Sequence, residues 1–251
     1  MSASAISLEG ISLSYKGQPL FQDFNLELPA GLTSCLLGPS GVGKSSLLRV
    51  IAGLERGASG VVSRENRSPL TGKLAYMAQQ DLLLPWLQLM DNVVLPDRLA
   101  GREVDMKRAR RLLQLVGLDG HEAKLPSALS GGMRQRAALA RTLYQDREVI
   151  LMDEPFSSVD SITRLELQEL TAELLRDRTV LLVTHDPFEA LRIGHRLIVL
   201  AGQPVHIAEQ VDLVQAPPRD IGSPEITSLH KQLIDSLRGV RQNLPAASLT
   251  S

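Results

Sequence analysis

The sequence predicts an α/β fold, with a mostly parallel sheet, an N-terminal antiparallel β lobe and an inserted α-helical lobe. Short, mostly apolar runs lie at residues 33–37, 149–152 and 179–184, and such runs are typical of buried parallel strands. Residues 6–28 carry apolar side chains at the spacing of sheet faces. Residues 91–147 follow a helical pattern rich in Leu, Ala and Arg, which indicates a helical insertion of roughly 50 residues in an α/β core.

The N-terminal half is predicted to contain short strands, a glycine loop and one helix. Short strands are expected within residues 6–28, with a turn at residues 16–19. Apolar residues recur at helical spacing from Lys44 to Leu54, which predicts a helix there. Residues 57–76 place short apolar stretches between glycines and prolines, and this pattern predicts a small β-hairpin.

The C-terminal half is predicted to alternate helices and strands. Gly117 and Pro126 are expected to break the helical region. An amphipathic helix is expected over residues 160–176, and a hairpin over residues 198–207.

A last helix is expected to start at Ser223 and Pro224, because proline is favoured in the first helical turn. Gly239 is expected to stop this helix, and residues 241–251, small and polar, are expected to be loose.

Composition narrows the classes of function. The chain has 251 residues, 43% of them hydrophobic, and a net charge of −1, so no general attraction to nucleic acid is expected. Cys35 is its one cysteine, which excludes an internal disulfide and fits a reducing compartment. No apolar stretch approaches the roughly 20 residues that span a bilayer, and the N-terminus lacks the pattern of a signal peptide. We therefore expect a cytosolic protein that reaches any membrane through a partner.

Residues 38–45, Gly-Pro-Ser-Gly-Val-Gly-Lys-Ser, match the phosphate-binding loop pattern in full. The glycines let backbone N–H groups face a phosphate, Lys44 neutralises phosphate oxygens and the Ser45 hydroxyl can bind Mg²⁺. The alternative is a glycine-rich turn that binds nothing. The strand before the loop and the helix after it favour the phosphate loop.

Two further strands end in polar residues. Asp153 and Glu154 follow an apolar run, at the strand end where α/β sheets bind ligands. Asp153 is placed to hold Mg²⁺ through water and Glu154 to act as general base, although a solvated pair of acids is the alternative. His185 follows the next apolar run and could contact a γ-phosphate, although a lone histidine is more often an ordinary polar residue.

Residues 129–136, Leu-Ser-Gly-Gly-Met-Arg-Gln-Arg, open a helical run that also contains Arg141. The two glycines expose backbone N–H groups at a helix N-terminus, and with the arginines they predict an anion site. A simple helix N-cap at Ser130 is the alternative. Tyr15 could stack on adenine or be a half-buried strand residue.

These motifs, in this order, resemble those of the ATP-binding cassette (ABC) ATPases, and the resemblance covers about residues 6–210. Residues 38–45 are similar to the Walker A motif, 149–154 to Walker B with its catalytic Glu, 129–135 to the signature motif and 157–160 to the D-loop. The D-loop departs from the family pattern in having Ser-Val for Ala-Leu, and Gln80 stands where an acid is common.

The resemblance implies a P-loop NTPase (RecA-like) core that uses ATP and Mg²⁺. The implied catalytic residues are Glu154, the switch histidine His185 and the Q-loop Gln79, chosen over Gln80 for its distance from Pro85-Trp86. The implied ATP contacts are Tyr15, Gly38, Pro39, Ser40, Gly41, Val42, Gly43, Lys44, Ser45, Ser46, Ser130, Gly131, Gly132, Gln135 and Asp160. The implied Mg²⁺ ligands are Ser45, Gln79 and Asp153. The implied domains are an ATPase domain at 1–215, with a helical lobe at about 88–147, and a C-terminal helix and tail at 216–251.

The resemblance also implies partners. Family members form a head-to-tail dimer in which the signature motif of one subunit meets the ATP held by Walker A of the other. A separate transmembrane permease is implied, with a solute-binding protein acting through it, and a peripheral position on the cytoplasmic membrane face. The exposed contact is expected at Trp86, within an apolar segment at 82–87. No nucleic-acid partner is expected.

The Pro85-Trp86 pair resembles the nitrate, sulfonate and taurine group of importers, and residues 77–86 resemble the branch that serves pyrimidine precursors of thiamine. A soluble ABC ATPase that acts on DNA or ribosomes is the rival function. Such proteins add coiled coils, zinc-binding cysteines or a second cassette, and the sequence shows none of these. A simple P-loop nucleotide kinase is a second rival, and it would lack the signature motif and His185.

Overall fold

The computed structural model describes residues 3–242, which fold around two β-sheets. The strands are β1 (Ile6–Tyr15), β2 (Gln18–Leu28), β3 (Thr33–Leu37), β4 (Ser59–Arg64), β5 (Leu74–Met77), β6 (Val149–Asp153), β7 (Thr179–Val183), β8 (Arg196–Ala201) and β9 (His206–Asp212). The helices are α1 (Lys44–Ile51), α2 (Leu89–Leu99), α3 (Met106–Leu115), α4 (Gly131–Tyr144), α5 (Ser161–Leu174), α6 (Pro187–Ile193) and α7 (Pro224–Gln242). Within residues 3–242, no helix combines the length and the hydropathy that a bilayer crossing needs.

The central sheet has six strands in the order β5-β6-β7-β3-β8-β9. The first five run parallel, and only β9 is antiparallel, paired with β8 in the predicted hairpin. Every residue of β6 and β7 is buried, which confirms the strands predicted from the apolar runs. Because parallel strands end at the same edge, the loops after β3, β5, β6 and β7 meet at one side of the sheet.

The N-terminal lobe is a three-stranded antiparallel sheet in the order β2-β1-β4. The hairpin predicted at residues 57–76 is wrong, because β4 pairs with β1 whereas β5 joins the central sheet beside β6. A short 3₁₀ turn at Glu65–Arg67 and the segment that follows it carry the chain between the two sheets. Local spacing identifies strands but leaves their pairing partners open, since the partners lie far away in sequence.

Helix α1 ends three residues before the predicted boundary at Leu54. The N–H of Gly53 donates to Val50 and that of Leu54 to Arg49, while Gly53 has φ of 70°. This is a Schellman cap, in which a glycine in the left-handed conformation ends the helix and satisfies its last carbonyls. The apolar spacing at residues 50–54 therefore continued past the true helix end.

The helical lobe consists of α2, α3 and α4, packed around buried residues such as Val93, Leu113 and Leu139. The predicted breaks are confirmed, since α3 stops before Gly117 and Pro126 begins a 3₁₀ turn ahead of α4. A further break at residues 100–105 separates α2 from α3.

Helices α5, α6 and α7 are the last three helices in the sequence. The expected stop at Gly239 is wrong, because α7 continues to Gln242. Glycine inside a helix costs about 1 kcal/mol relative to alanine, and the packing of Val240 and Leu237 against the core offsets this cost. The expected loose tail lies largely outside the described residues, which end at residue 242.

Candidate functional site

The loop at residues 38–45 joins the end of β3 to the start of α1, as the sequence predicts. Gly38 and Gly43 have φ of 146° and 115°, a conformation that L side chains rarely adopt. A Cβ on Gly38 would also lie 2.6 Å from the carbonyl oxygen of Leu200 in β8. The glycines therefore allow the loop to wrap tightly around the N-terminus of α1, where backbone N–H groups favour an anion.

Lys44 lies inside this loop. Its side chain is buried, and Nζ donates to the carbonyl oxygens of Gly38 and Pro39 at 2.8 and 2.9 Å. Burial lowers the pKa of Lys44, and the charges of Glu154 and Asp153 oppose that change. The ammonium is thus held at the mouth of the loop, where it can meet phosphate oxygens.

Asp153, at the end of β6, is almost fully buried. Burial raises the pKa of its carboxyl, while a hydrogen bond from the Ser45 side chain acts in the opposite direction. Its Oδ1 atom is buried and has no hydrogen-bond partner within the described part of the chain. A buried carboxylate oxygen without a donor, beside a serine hydroxyl, is a set of hard oxygen donors that suits Mg²⁺.

Glu154 has φ of 50°, an uncommon value for a residue with a side chain. Its N–H donates to the carbonyl of Val183 at 2.9 Å, and Gln135 Nε2 donates to its carbonyl at 3.2 Å. These bonds hold the backbone in a conformation that costs on the order of 1–3 kcal/mol.

The Glu154 carboxylate meets two of the predicted catalytic side chains. Its Oε2 atom lies 3.3 Å from Gln79 Nε2 and 3.3 Å from His185 Nδ1. Gln79 follows β5 and His185 follows β7, so the two strands that flank β6 deliver these residues. The structure therefore brings together a carboxylate, an amide and an imidazole beside the phosphate loop.

A cavity of about 220 Å³ lies between the loop and the carboxylate. It is lined by Ser40, Gly41, Gly43, Lys44, Ser45, Ser46, Gln79 and Glu154. Val42, in contrast, is buried in the core next to the loop.

The signature segment and the D-loop lie outside this cavity. Ser130 caps α4, its hydroxyl accepting from the N–H of Met133 at 3.2 Å, and Asp160 caps α5 through Thr163. A Cβ on Gly132 would lie 2.9 Å from the carbonyl of Ser158, so the two segments touch each other. Tyr15, at the end of β1, is exposed and also does not line the cavity.

The prediction that Arg134, Arg136 and Arg141 contribute to an anion site is wrong, because their guanidinium groups bind other groups of the chain. Arg134 binds the Asp81 carboxylate at 3.0 Å, and Arg141 donates to the carbonyls of Asp81 and Leu82 at 2.6 and 2.8 Å. Arg136 instead donates to the carbonyls of Val116 and Gly117 at 2.9 Å.

The contacts that connect α4 to the loop after Gln79 were not predicted from the sequence. The seven-residue spacing of Arg134 and Arg141, two helical turns along one face, was the available signal.

Comparisons with known proteins agree with this geometry. Residues 21–157 match the family model described as ABC transporter. The chain is 42% identical over 240 residues to an uncharacterized ABC transporter ATP-binding protein of Haemophilus influenzae, covering 93% of this chain and 99% of the relative. It is also 42% identical over 234 residues to an aliphatic sulfonates import ATP-binding protein of Rhodococcus jostii, covering 92% and 93%.

Among solved structures, the fold matches a dimeric ATP-binding cassette in a post-hydrolysis state with ADP and phosphate bound. The TM-score is 0.75 at 30% identity, over 84% of this chain and 99% of that one. The similarity to these relatives and to a solved ATP-binding cassette thus extends along most of the chain. This chain belongs to the ATP-binding proteins of the ABC transporter family.

Proposed function

We propose that Gln79, Glu154 and His185 form the hydrolytic centre of this ABC ATPase, and that the chain powers import of an organic sulfonate. The observation that carries the first part is the convergence of Gln79 and His185 on Glu154 Oε2, each at 3.3 Å, beside the cavity of the phosphate loop. Glu154 acts as the general base that orients and deprotonates water, and His185 and Gln79 hold its carboxylate and the γ-phosphate. The phosphates lie in the loop against Lys44.

Magnesium fits the oxygen donors next to this centre. Asp153, Ser45 and Gln79 would hold it, and the partnerless Oδ1 of Asp153 supports this assignment. Bound Mg²⁺ would neutralise charge on the phosphate oxygens. Lys44 supplies a second positive charge, while Ser40, Gly41 and Gly43 line the wall of the cavity.

The remaining predicted ATP contacts are proposed to act in a head-to-tail dimer. Ser130, Gly131, Gly132 and Asp160 do not line the cavity of their own subunit, which supports a role at the site of a partner. The solved structure with the same fold is a dimer, which agrees with this arrangement. Tyr15 is proposed to stack on the adenine, since its ring is exposed at the strand end of the β lobe.

The proposed cargo and membrane partner rest on the names of relatives. Proteins at 41–42% identity, from Rhodococcus jostii and Pseudomonas savastanoi, are named for import of aliphatic sulfonates. This favours an importer over an ATPase that acts on DNA or ribosomes, and a sulfonate over a thiamine precursor. A separate permease would recruit the chain to the cytoplasmic membrane face, and a solute-binding protein would deliver the sulfonate to that permease.

Trp86 and Leu82 supply a surface for the permease. Their side chains are 71% and 58% exposed, while Leu83 between them is buried. The buried Asn92 side chain bonds the N–H and carbonyl of Leu84, so the segment is fixed on the helical lobe. Exposed apolar side chains on a rigid loop are typical of a protein contact.

The Glu154→Gln variant tests the hydrolytic centre. Loss of the base should lower kcat by about 10²- to 10⁴-fold, while the phosphate loop continues to bind ATP. The intact ATP should then hold the dimer closed, and light scattering at saturating Mg-ATP should report it. Glu166→Gln, an exposed change on α5, is the matched control. Turnover that persists in Glu154→Gln, or a monomer with ATP bound, would contradict the proposal.

A further inference from the structure

Two buried or half-buried contacts connect the helix after the D-loop to the helix after His185. Gln168 on α5 donates from Nε2 to Oε2 of Glu189 on α6 at 3.3 Å, and both side chains are buried. One turn earlier on α5, Arg164 lies 3.7 Å from the carboxylate of Asp186, which caps α6. Arg164 also donates to the carbonyl of Val159 in the D-loop at 3.0 Å.

This arrangement spans the two loops that flank the hydrolytic centre. Asp160 caps α5 and Asp186 caps α6, so movement of either helix displaces the D-loop or the segment that carries His185. A small cavity of about 20 Å³ is lined by Glu189 and Arg164 together with Glu154 and His185. The two contacts between α5 and α6, Gln168–Glu189 and Arg164–Asp186, thus form a bridge that borders the same cavity as the catalytic carboxylate and imidazole.

We propose that Glu189 is a positioning residue for hydrolysis, which together with Gln168 fixes the loop of His185 against the D-loop. This inference rests on the proposed roles of Glu154 and His185, and adds a residue that does not touch the nucleotide. Glu189 acts from α6, through the Asp186 cap and the short segment that carries His185.

The bridge between α5 and α6 is expected to hold while the Glu189 carboxyl is protonated and uncharged. Burial raises the pKa of its carboxyl to about 8, although the neighbouring Thr184 hydroxyl and Gln168 amide lower it. The charged and titratable groups around it are Asp186 and Arg192 on its own helix and cap, Arg164 from α5 and the Cys35 thiol from β3. Glu154 and His185 line the same small cavity. Burial of Glu189 disfavours its ionised form, so ionisation should loosen the contact between α5 and α6.

The sign of the pH effect follows from linkage. Since the folded chain holds this proton up to a higher pH than the unfolded chain, the contribution of Glu189 to folding stability falls as pH rises from about 4.5 to about 8. Glutamine has the shape of the neutral acid and no charge to lose. Glu189→Gln should therefore keep the bridge at every pH and unfold at a higher temperature than the wild type near neutrality.

The test compares Mg-ATP turnover of the full chain against pH, with thermal unfolding of the same samples. At saturating ATP, kcat of the wild type should fall on the alkaline side with a midpoint near pH 8, and Glu189→Gln should lack this fall. Glu166→Gln, exposed on α5, should behave like the wild type. An unchanged alkaline fall in Glu189→Gln, or a large loss of its kcat at neutral pH, would overturn the proposal.

Gln168→Leu provides a second variant, since leucine fills the buried site and removes the donor. It should lower kcat severalfold and leave ATP affinity unchanged, because the nucleotide cavity is not touched. Wild-type kcat in this variant would also overturn the bridge. Glu154→Gln, measured in parallel, separates the two ideas: its inactivity with ATP bound supports the hydrolytic centre even if Glu189→Gln shows no effect.

Discussion

Burial of the Asp153 carboxyl lowers the stability of the fold, and the same carboxyl is suited to the proposed nucleotide site. A carboxylate buried at the end of β6, with Oδ1 lacking a partner among the described residues, is held in an unfavourable environment, and burial raises its pKa. Such a group is tolerated where a cation or a substrate compensates the cost. The Ser45 hydroxyl, the Lys44 ammonium and the Glu154 carboxylate are polar groups near it.

We expect Asp153→Asn to unfold at a higher temperature than the wild type in the absence of Mg²⁺. Asparagine keeps an acceptor for Ser45 and removes the buried charge, whose folded-state pKa is raised and which therefore costs stability above its unfolded-state pKa. The same change should lower Mg²⁺-dependent kcat by about 100-fold or more, through loss of a metal ligand.

Thermal unfolding with and without Mg²⁺, together with ATPase assays, checks both effects. Asp119→Asn, an exposed change, serves as the control. Equal unfolding temperatures and normal turnover in Asp153→Asn would show that Asp153 is neither strained nor a ligand.

At the scale of elements, α4 connects three parts of the site. Its N-terminus carries Ser130, Gln135 reaches the carbonyl of Glu154, and Arg134 and Arg141 hold the loop after Gln79. These contacts are hydrogen bonds and one ion pair, and all of them depend on one rigid helix. Movement of the helical lobe would therefore carry the signature segment and the Gln79 loop together.

Arg141→Met should release the loop after Gln79 from α4. The guanidinium donates to two carbonyls, at Asp81 and Leu82, and hydrogen bonds from a charged group are worth about 1.5–3 kcal/mol each. We expect faster amide hydrogen exchange over residues 79–86 and a lower kcat with ATP affinity retained. Arg110→Met, exposed on α3, is the matched control, and unchanged exchange in Arg141→Met would contradict this function of the helix.

The individual strands and helices also show how much of the fold local sequence can predict. Mostly apolar runs identified β3, β6 and β7, because burial on both faces of a central parallel strand favours apolar side chains at most positions. The pairing of β4 and β5 was not predictable, since their partners, β1 and β6, are set by contacts distant in sequence. The end of α7 was missed because packing of Val240 outweighs the local preference of Gly239.

For the whole molecule, the predicted site residues divide into two groups in space. Gln79, Glu154 and His185 converge on the phosphate loop, and this was predictable because parallel strands end at a common edge of the sheet. Ser130, Gly131 and Gly132 lie elsewhere in the same subunit. We propose that they meet a nucleotide only at the site of a second copy of the chain, and a pattern within one sequence does not give the position of that copy.

Mixing two inactive variants tests the site between subunits. Ser130→Arg should block the face offered to a partner, and Lys44→Ala should remove the ammonium that lies in its own phosphate loop. In a head-to-tail dimer of the two variants, one site combines both defects. The other site pairs the intact Lys44 of the first variant with the intact Ser130 of the second, so the mixture should recover turnover that neither variant shows alone. Ser130→Arg alone should still bind ATP, because its own phosphate loop is unchanged.

Mixing Ser130→Arg with Glu154→Gln should likewise restore activity, since Glu154 lies on the phosphate-loop side of the site. If Ser130 instead served the nucleotide of its own subunit, every subunit in either mixture would carry a complete defect, and no mixture would recover activity.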